Sequence, residues 1–96
     1  MFFVGHTEIK ISDQDVDLLT QYPWKVREDK MIVEDFSKYE KQPERSPKLL
    51  RTLIAFRMGL DADHYVLFRS TDWTDLRREN LQLVAWTAED FGFNKK

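Results

Sequence analysis

The sequence predicts a small α+β domain with antiparallel strand pairing, and three observations support this fold class. The chain has 96 residues, enough for one domain, and 42 % of them are hydrophobic, enough for a core. Short alternating or apolar runs that are typical of strands recur along it. Two segments instead have helical spacing, and each follows a serine that can act as an N-cap. The predicted order is β-α-β-β-α-β-β-α within a single domain, residues 1–96.

The N-terminal part, residues 1–45, is predicted to contain a strand, a helix and a hairpin. Residues 2–11 end in the apolar–polar alternation of a strand. Ser12 has the position of an N-cap and predicts a helix over residues 13–21, which Pro23 ends. The two hairpin strands are predicted at residues 24–27 and 31–34.

The second part, residues 46–96, is predicted to begin with a longer helix. Ser46 as N-cap and Pro47 at the first helical position predict a helix over residues 47–58. Gly59 suits the left-handed conformation that often follows a helix. Strands are predicted at residues 65–68 and 81–86, and a short final helix is predicted after Thr87.

Composition excludes several classes of protein. The chain has no cysteine, which excludes disulfides and thiolate zinc sites. Its longest apolar runs, of which residues 65–68 are one, have four residues, far fewer than the roughly 20 of a membrane span. The N-terminus lacks the basic region of a signal peptide, so we expect a cytoplasmic protein with no membrane partner. No phosphate loop or catalytic serine motif is present, and we expect no cofactor and no metal.

Charge is unevenly distributed although the net charge is only −2. Residues 36–60 are net positive and lie between two acidic segments. Cationic side chains in such a segment are candidates for contact with phosphates. The candidate nucleic-acid contacts are Lys38, Lys41, Arg45, Lys48 and Arg51. Acidic residues such as Glu28 and Asp29 would repel phosphates, which weakens this interpretation.

A second candidate surface surrounds a tryptophan in a predicted hairpin loop. We expect Trp24 and Trp86, at strand positions, to lie in the core, and Trp73 to be exposed. An exposed tryptophan is a common anchor of protein interfaces. The neighbouring residues of this candidate partner-binding surface are Asp72, Arg69, Arg77 and Arg78.

Two longer motifs carry a resemblance to a known family. Residues 50–60 are LRTLIAFRMGL, and residues 75–84 are DLRRENLQLV. With the segment from Ile11 to Trp24 that precedes them, they resemble the small HNH homing endonucleases of bacteriophages, in the same order and over about residues 9–94. The resemblance implies an HNH-like ββα element and a phage origin.

The resemblance also implies that the reactive groups are absent. The catalytic aspartate–histidine pair of that family falls on Leu67 and Phe68, and an earlier histidine falls on Arg51. Leucine and phenylalanine neither bind metal nor accept a proton. Asn80 and Leu81 match residues that hold the family's fold, with the Asn80 side chain bridging the turn to the strands and Leu81 in the core.

An alternative places a residual metal site elsewhere. Asp63 and His64 form an aspartate–histidine pair and could act with Asn80, although this requires four extra residues before Asn80.

Three functions are therefore open from the sequence. The first is a non-catalytic protein that binds and inhibits or modulates a host protein such as a nuclease, a polymerase or a defence complex. The second is a DNA-binding protein that does not cleave, and the third is a residual metal-dependent HNH endonuclease. We expect the first, in the host cytoplasm, as a monomer or homodimer and not as an enzyme.

Overall fold

The computed structural model of the chain describes residues 1–35 and 47–86. These residues form small antiparallel sheets with two short α-helices, which confirms a mixed α+β fold. The final helix predicted after Thr87 and the Ser46 cap lie outside the described residues.

The N-terminal segment forms two strands where one was predicted. β1, Phe2–Val4, and β2, Thr7–Ile11, pair as an antiparallel hairpin. Gly5 lies in the turn between them with φ of 60°, a left-handed conformation that glycine adopts without steric cost. The prediction of a single strand over residues 2–11 is wrong because the chain reverses at this glycine.

The first predicted helix is split into two short pieces. Asp13–Asp15 is a 3-10 helix, and α1 is limited to Leu18–Gln21. Ser12 does not cap it with its side chain. Its hydroxyl instead accepts a hydrogen bond of 3.0 Å from the backbone N–H of Arg78. A long-range contact thus replaces the expected N-cap interaction of Ser12.

The next hairpin is confirmed. β3, Trp24–Val26, pairs antiparallel with β4, Ile32–Glu34. The turn includes Lys30 at φ of 65°, and the Lys30 N–H donates to the Arg27 carbonyl oxygen at 2.9 Å.

The main helix, α2, spans Leu50–Arg57 and starts later than predicted. Leu49 is extended and forms an antiparallel bridge with Val33, and the Glu34 N–H donates to the Lys48 carbonyl at 2.8 Å. These contacts hold the segment before α2 along β4, so Pro47 is not the first helical residue. Gly59 follows the helix at φ of 104°, as predicted.

Two of the remaining strands form an antiparallel ladder, and the third joins the first sheet as a parallel strand. β5, His64–Phe68, pairs antiparallel with β7, Leu81–Ala85, across five residue pairs. β6, Asp75–Leu76, instead runs parallel to β2, giving a sheet of order β1-β2-β6. The predicted antiparallel pairing holds for the other three strand pairs of the described residues, and the β2–β6 pair is a parallel exception. A second 3-10 helix, Arg78–Asn80, connects β6 to β7.

One face of α2 meets apolar side chains from the strands. Ile54 and Leu50 have no exposed surface, and Leu76 and Leu81 are 1 % and 2 % exposed. The other buried members of this cluster are Val4, Ile9, Ile11, Leu18 and Ile32. Within residues 1–35 and 47–86, no helix has the length and apolar character required to cross a membrane.

Truncating the centre of this core should test the orientation of α2. Ile54→Ala is expected to lower the free energy of unfolding by about 2–5 kcal/mol, because a cavity replaces fully buried methyl groups. Phe56→Ala, on the exposed face of the same helix, should change it by no more than about 0.5 kcal/mol. Urea unfolding followed by circular dichroism measures both, and equal losses would contradict this orientation.

Candidate functional site

Asn80 holds the loop between β5 and β6. Its Oδ1 accepts a hydrogen bond of 3.1 Å from the Ser70 N–H, and its Nδ2 donates to the Asp75 carbonyl at 2.9 Å. The Asn80 side chain is thus committed to the backbone on both sides of the loop. The expected bridging role of Asn80 and the core position of Leu81 are confirmed.

The alternative metal site is not assembled. His64 pairs with Ala85 at one end of the β5–β7 ladder, whereas Asn80 lies just beyond the other end, where Phe68 pairs with Leu81. Four residues of strand separate these ends, about 13 Å.

The aspartate–histidine pair has local partners instead. His64 Nδ1 lies 2.7 Å from Asp61 Oδ1, and the Asp63 N–H donates to the same oxygen at 2.9 Å. The contact with His64 lowers the pKa of Asp61. Among residues 1–35 and 47–86, no three histidine or acidic side chains group closely enough to hold a metal ion.

A buried carboxylate joins three distant segments of the chain. Asp15 has no exposed surface, and the Arg78 guanidinium donates to it twice, from Nε at 2.9 Å and from Nη2 at 2.7 Å. Arg57, at the end of α2, lies 3.5 Å from Asp15 and forms two hydrogen bonds of 2.8 Å with Asp17. The Arg57 guanidinium holds the pKa of Asp17 below its ordinary range.

A second arginine–aspartate pair lies in β6. Arg77 donates to both carboxylate oxygens of Asp75 at 2.8 Å, and Asp75 is buried. These hydrogen bonds lower the pKa of Asp75 and raise that of Arg77. Arg77 and Arg78 were predicted as partner-binding residues, but both guanidinium groups already bind carboxylates. The sequence analysis missed these pairs. The spacing of Asp75 two residues before Arg77 is a signal that could have found the local one, whereas nothing in the local sequence links Arg78 to Asp15.

Three of the candidate residues meet in one shallow pocket. Arg51, Phe68 and Trp73 line it, and the Arg51 guanidinium carbon lies 5.7 Å from the centre of the Phe68 ring. This is the distance of a cation–π contact. The other lining residues are Lys30, Met31, Ile32, Leu49 and Leu76.

Arg51 is unusual among the arginines. Its Nε is buried and has no hydrogen-bond partner in the described part of the chain. Burial lowers the pKa of Arg51, while the negative charge of Asp29 partly opposes this effect. Asp29 itself is held by two hydrogen bonds from Arg27, of 3.1 and 2.9 Å.

Two of the three tryptophans differ from expectation. Trp73 is half-buried against the core and not fully exposed, because its loop is folded back by hydrogen bonds from Thr74 to Asp72. Trp86 lies on the surface, 37 % exposed, because it follows the end of β7. Its ring packs on the Tyr65 ring, with 4.3 Å between the ring centres. Trp24 is half-buried, packs against the core, and its indole donates to the Leu18 carbonyl at 2.9 Å.

The remaining candidates are dispersed. Lys48 lies with its Nζ 5.7 Å from the centre of the Tyr22 ring. Leu67 is 42 % exposed, and Arg69 is exposed beside it at the end of β5. Lys38, Lys41 and Arg45 lie outside the described residues. The predicted nucleic-acid contacts therefore do not form one described surface.

Comparison of the chain with protein-family models, curated proteins and solved structures finds no match. The relationship to HNH endonucleases rests on the sequence motifs alone and stays a prediction.

Removing the buried carboxylate should strongly destabilise the fold. Asp15→Ala leaves the Arg78 guanidinium without its acceptor, and we expect a loss near the lower end of the roughly 3–5 kcal/mol typical of broken buried pairs, since Arg78 is partly exposed. Asp13→Ala, at an exposed position of the same 3-10 helix, should have little effect. Urea unfolding measures both, and similar values would contradict the assignment of Asp15.

The Arg77–Asp75 pair should make stability depend on pH. The pKa of Asp75 is lower in the folded protein than its ordinary value of 3.8, so the pair stabilises the fold above about pH 4. This contribution is lost as the pH falls through the folded-state pKa. The stability difference between wild type and Asp75→Asn should therefore be larger at pH 6 than at pH 3 in urea unfolding.

The matched control is Glu8→Gln, an exposed carboxylate on β2. Its stability difference from wild type should stay small at both pH values. An Asp75→Asn difference that does not change between pH 6 and pH 3 would contradict the stabilising role of the ionised pair.

Proposed function

We propose that this protein is a non-catalytic relative of phage HNH endonucleases that binds a host protein and inhibits or modulates it. The observation that carries the proposal is the pocket formed by Arg51, Phe68 and Trp73. In the proposed alignment, Arg51 and Phe68 occupy the two positions at which the family has histidines. A reactive centre is replaced there by a cation, two aromatic rings and apolar side chains, which are typical of a protein-binding hot spot.

The charges of the described residues favour a protein over a nucleic acid as the partner. Arg57, Arg77 and Arg78 each bind a carboxylate within the protein. A phosphate would have to compete with these carboxylates for the same donors. Binding to DNA draws on several cations that are free to contact successive phosphates.

A pull-down experiment tests the proposed function. The tagged protein is incubated with bacterial lysate before and after digestion with nuclease, and bound proteins are identified by mass spectrometry. We expect a host protein to be retained after digestion by the wild type. Trp73→Ala should weaken its binding at least tenfold, as expected when a hot-spot side chain is removed.

Phe3→Ala is the matched control, because Phe3 is an exposed aromatic residue in β1, away from the residues that line the pocket. It should retain the partner, and circular dichroism should show that both variants are folded. Recovery of DNA that disappears on digestion would support the non-cleaving DNA binder instead. Cleavage of DNA with Mg²⁺ that His64→Ala abolishes would support the residual endonuclease.

A further inference from the structure

Arg51 is the cation whose surroundings are incomplete. Native structures seldom leave a buried polar atom without a partner, and an unpaired charged donor is especially unfavourable. The Arg51 guanidinium forms a cation–π contact with the Phe68 ring. Within residues 1–35 and 47–86, no carboxylate lies within ion-pair distance of Arg51, and its Nε has no hydrogen-bond partner. By contrast, Arg77 and Arg78 each have a carboxylate bound through two nitrogens.

We propose that the Arg51 pocket binds the carboxylate of a glutamate or aspartate side chain in an acidic–apolar peptide segment of the partner. This inference rests on the proposed function and names the chemistry that the partner must present. The planar guanidinium pairs with a carboxylate through two parallel hydrogen bonds. Trp73, Met31 and Leu49 provide apolar surface for the residues that flank the acidic one.

The charge of the pocket favours a carboxylate over a phosphate. Its lining contains two cations, Arg51 and Lys30, and the remaining residues are apolar. A singly charged carboxylate matches this better than a phosphate group, whose charge and three or more oxygens require several donors.

The test titrates the isotope-labelled full chain with two blocked tripeptides, leucine–glutamate–leucine and leucine–glutamine–leucine. We expect the glutamate peptide to shift the NMR signals of the Arg51 Nε–H and the Trp73 indole N–H. The glutamine peptide should bind at least tenfold more weakly, since it lacks the charge. Equal binding of the two peptides would overturn the proposal. Stronger shifts with inorganic phosphate than with the glutamate peptide would also overturn it, in favour of a phosphate site.

Two substitutions separate recognition from folding. Arg51→Met should bind the glutamate peptide at least tenfold more weakly and yet unfold at a higher urea concentration, because it removes a buried donor that has no partner. Lys25→Gln removes an equal charge at an exposed site on β3 and should change neither property. Unchanged peptide binding together with lowered stability in Arg51→Met would show that Arg51 is structural.

Failure of this proposal and failure of the proposed function give different results. Retention of a host protein that requires Trp73 and not Arg51 would leave the proposed function in place and overturn the carboxylate site. Loss of that protein in Arg51→Met, with retention in Lys25→Gln, is the expected result.

Discussion

The fold depends on the ion pair between Asp15 and Arg78. A carboxylate without solvent exposure is strongly unfavourable unless charged donors surround it, so Asp15 can be buried only where Arg78 and Arg57 reach it. The two arginines lie 63 and 42 residues further along the chain. Their convergence holds the N-terminal 3-10 helix, the end of α2 and the 3-10 helix before β7 together.

Ion pairs of this kind reduce the positive charge that the basic residues present to a partner. A count of arginines suggests a surface for phosphates, but Arg57, Arg77 and Arg78 neutralise carboxylates of the protein itself. Their electrostatic effect on a partner is correspondingly reduced. Arg51 differs because its Nε has no hydrogen-bond partner and its guanidinium lies over the Phe68 ring within the described residues. The surroundings of each cation, and not the number of cations, therefore decide which of them is available to the proposed partner.

Local sequence signals predicted those elements that local interactions determine. The β3–β4 hairpin, strands β5 and β7 and the left-handed Gly59 follow from patterning and turn chemistry. The predicted start of α2 is wrong because Leu49 pairs with Val33, and the predicted N-cap at Ser12 is wrong because the Ser12 hydroxyl accepts the Arg78 N–H instead. Both failures have the same physical cause: a partner distant in sequence competes with the local interaction.

The pocket also depends on contacts between residues that are distant in sequence. The sequence singled out its residues one by one and did not predict that they meet. Arg51, Phe68 and Trp73 were each notable for a separate reason, but only folding brings the start of α2, the end of β5 and the following loop together. Placing Arg51 against Phe68 removes water from its Nε, which has no hydrogen-bond partner among the described residues. An apolar side chain of similar length would fill this space without that penalty. The described residues do not supply this interaction, and the proposed carboxylate of a partner would supply it. Under this proposal, an arginine here serves binding at the expense of stability.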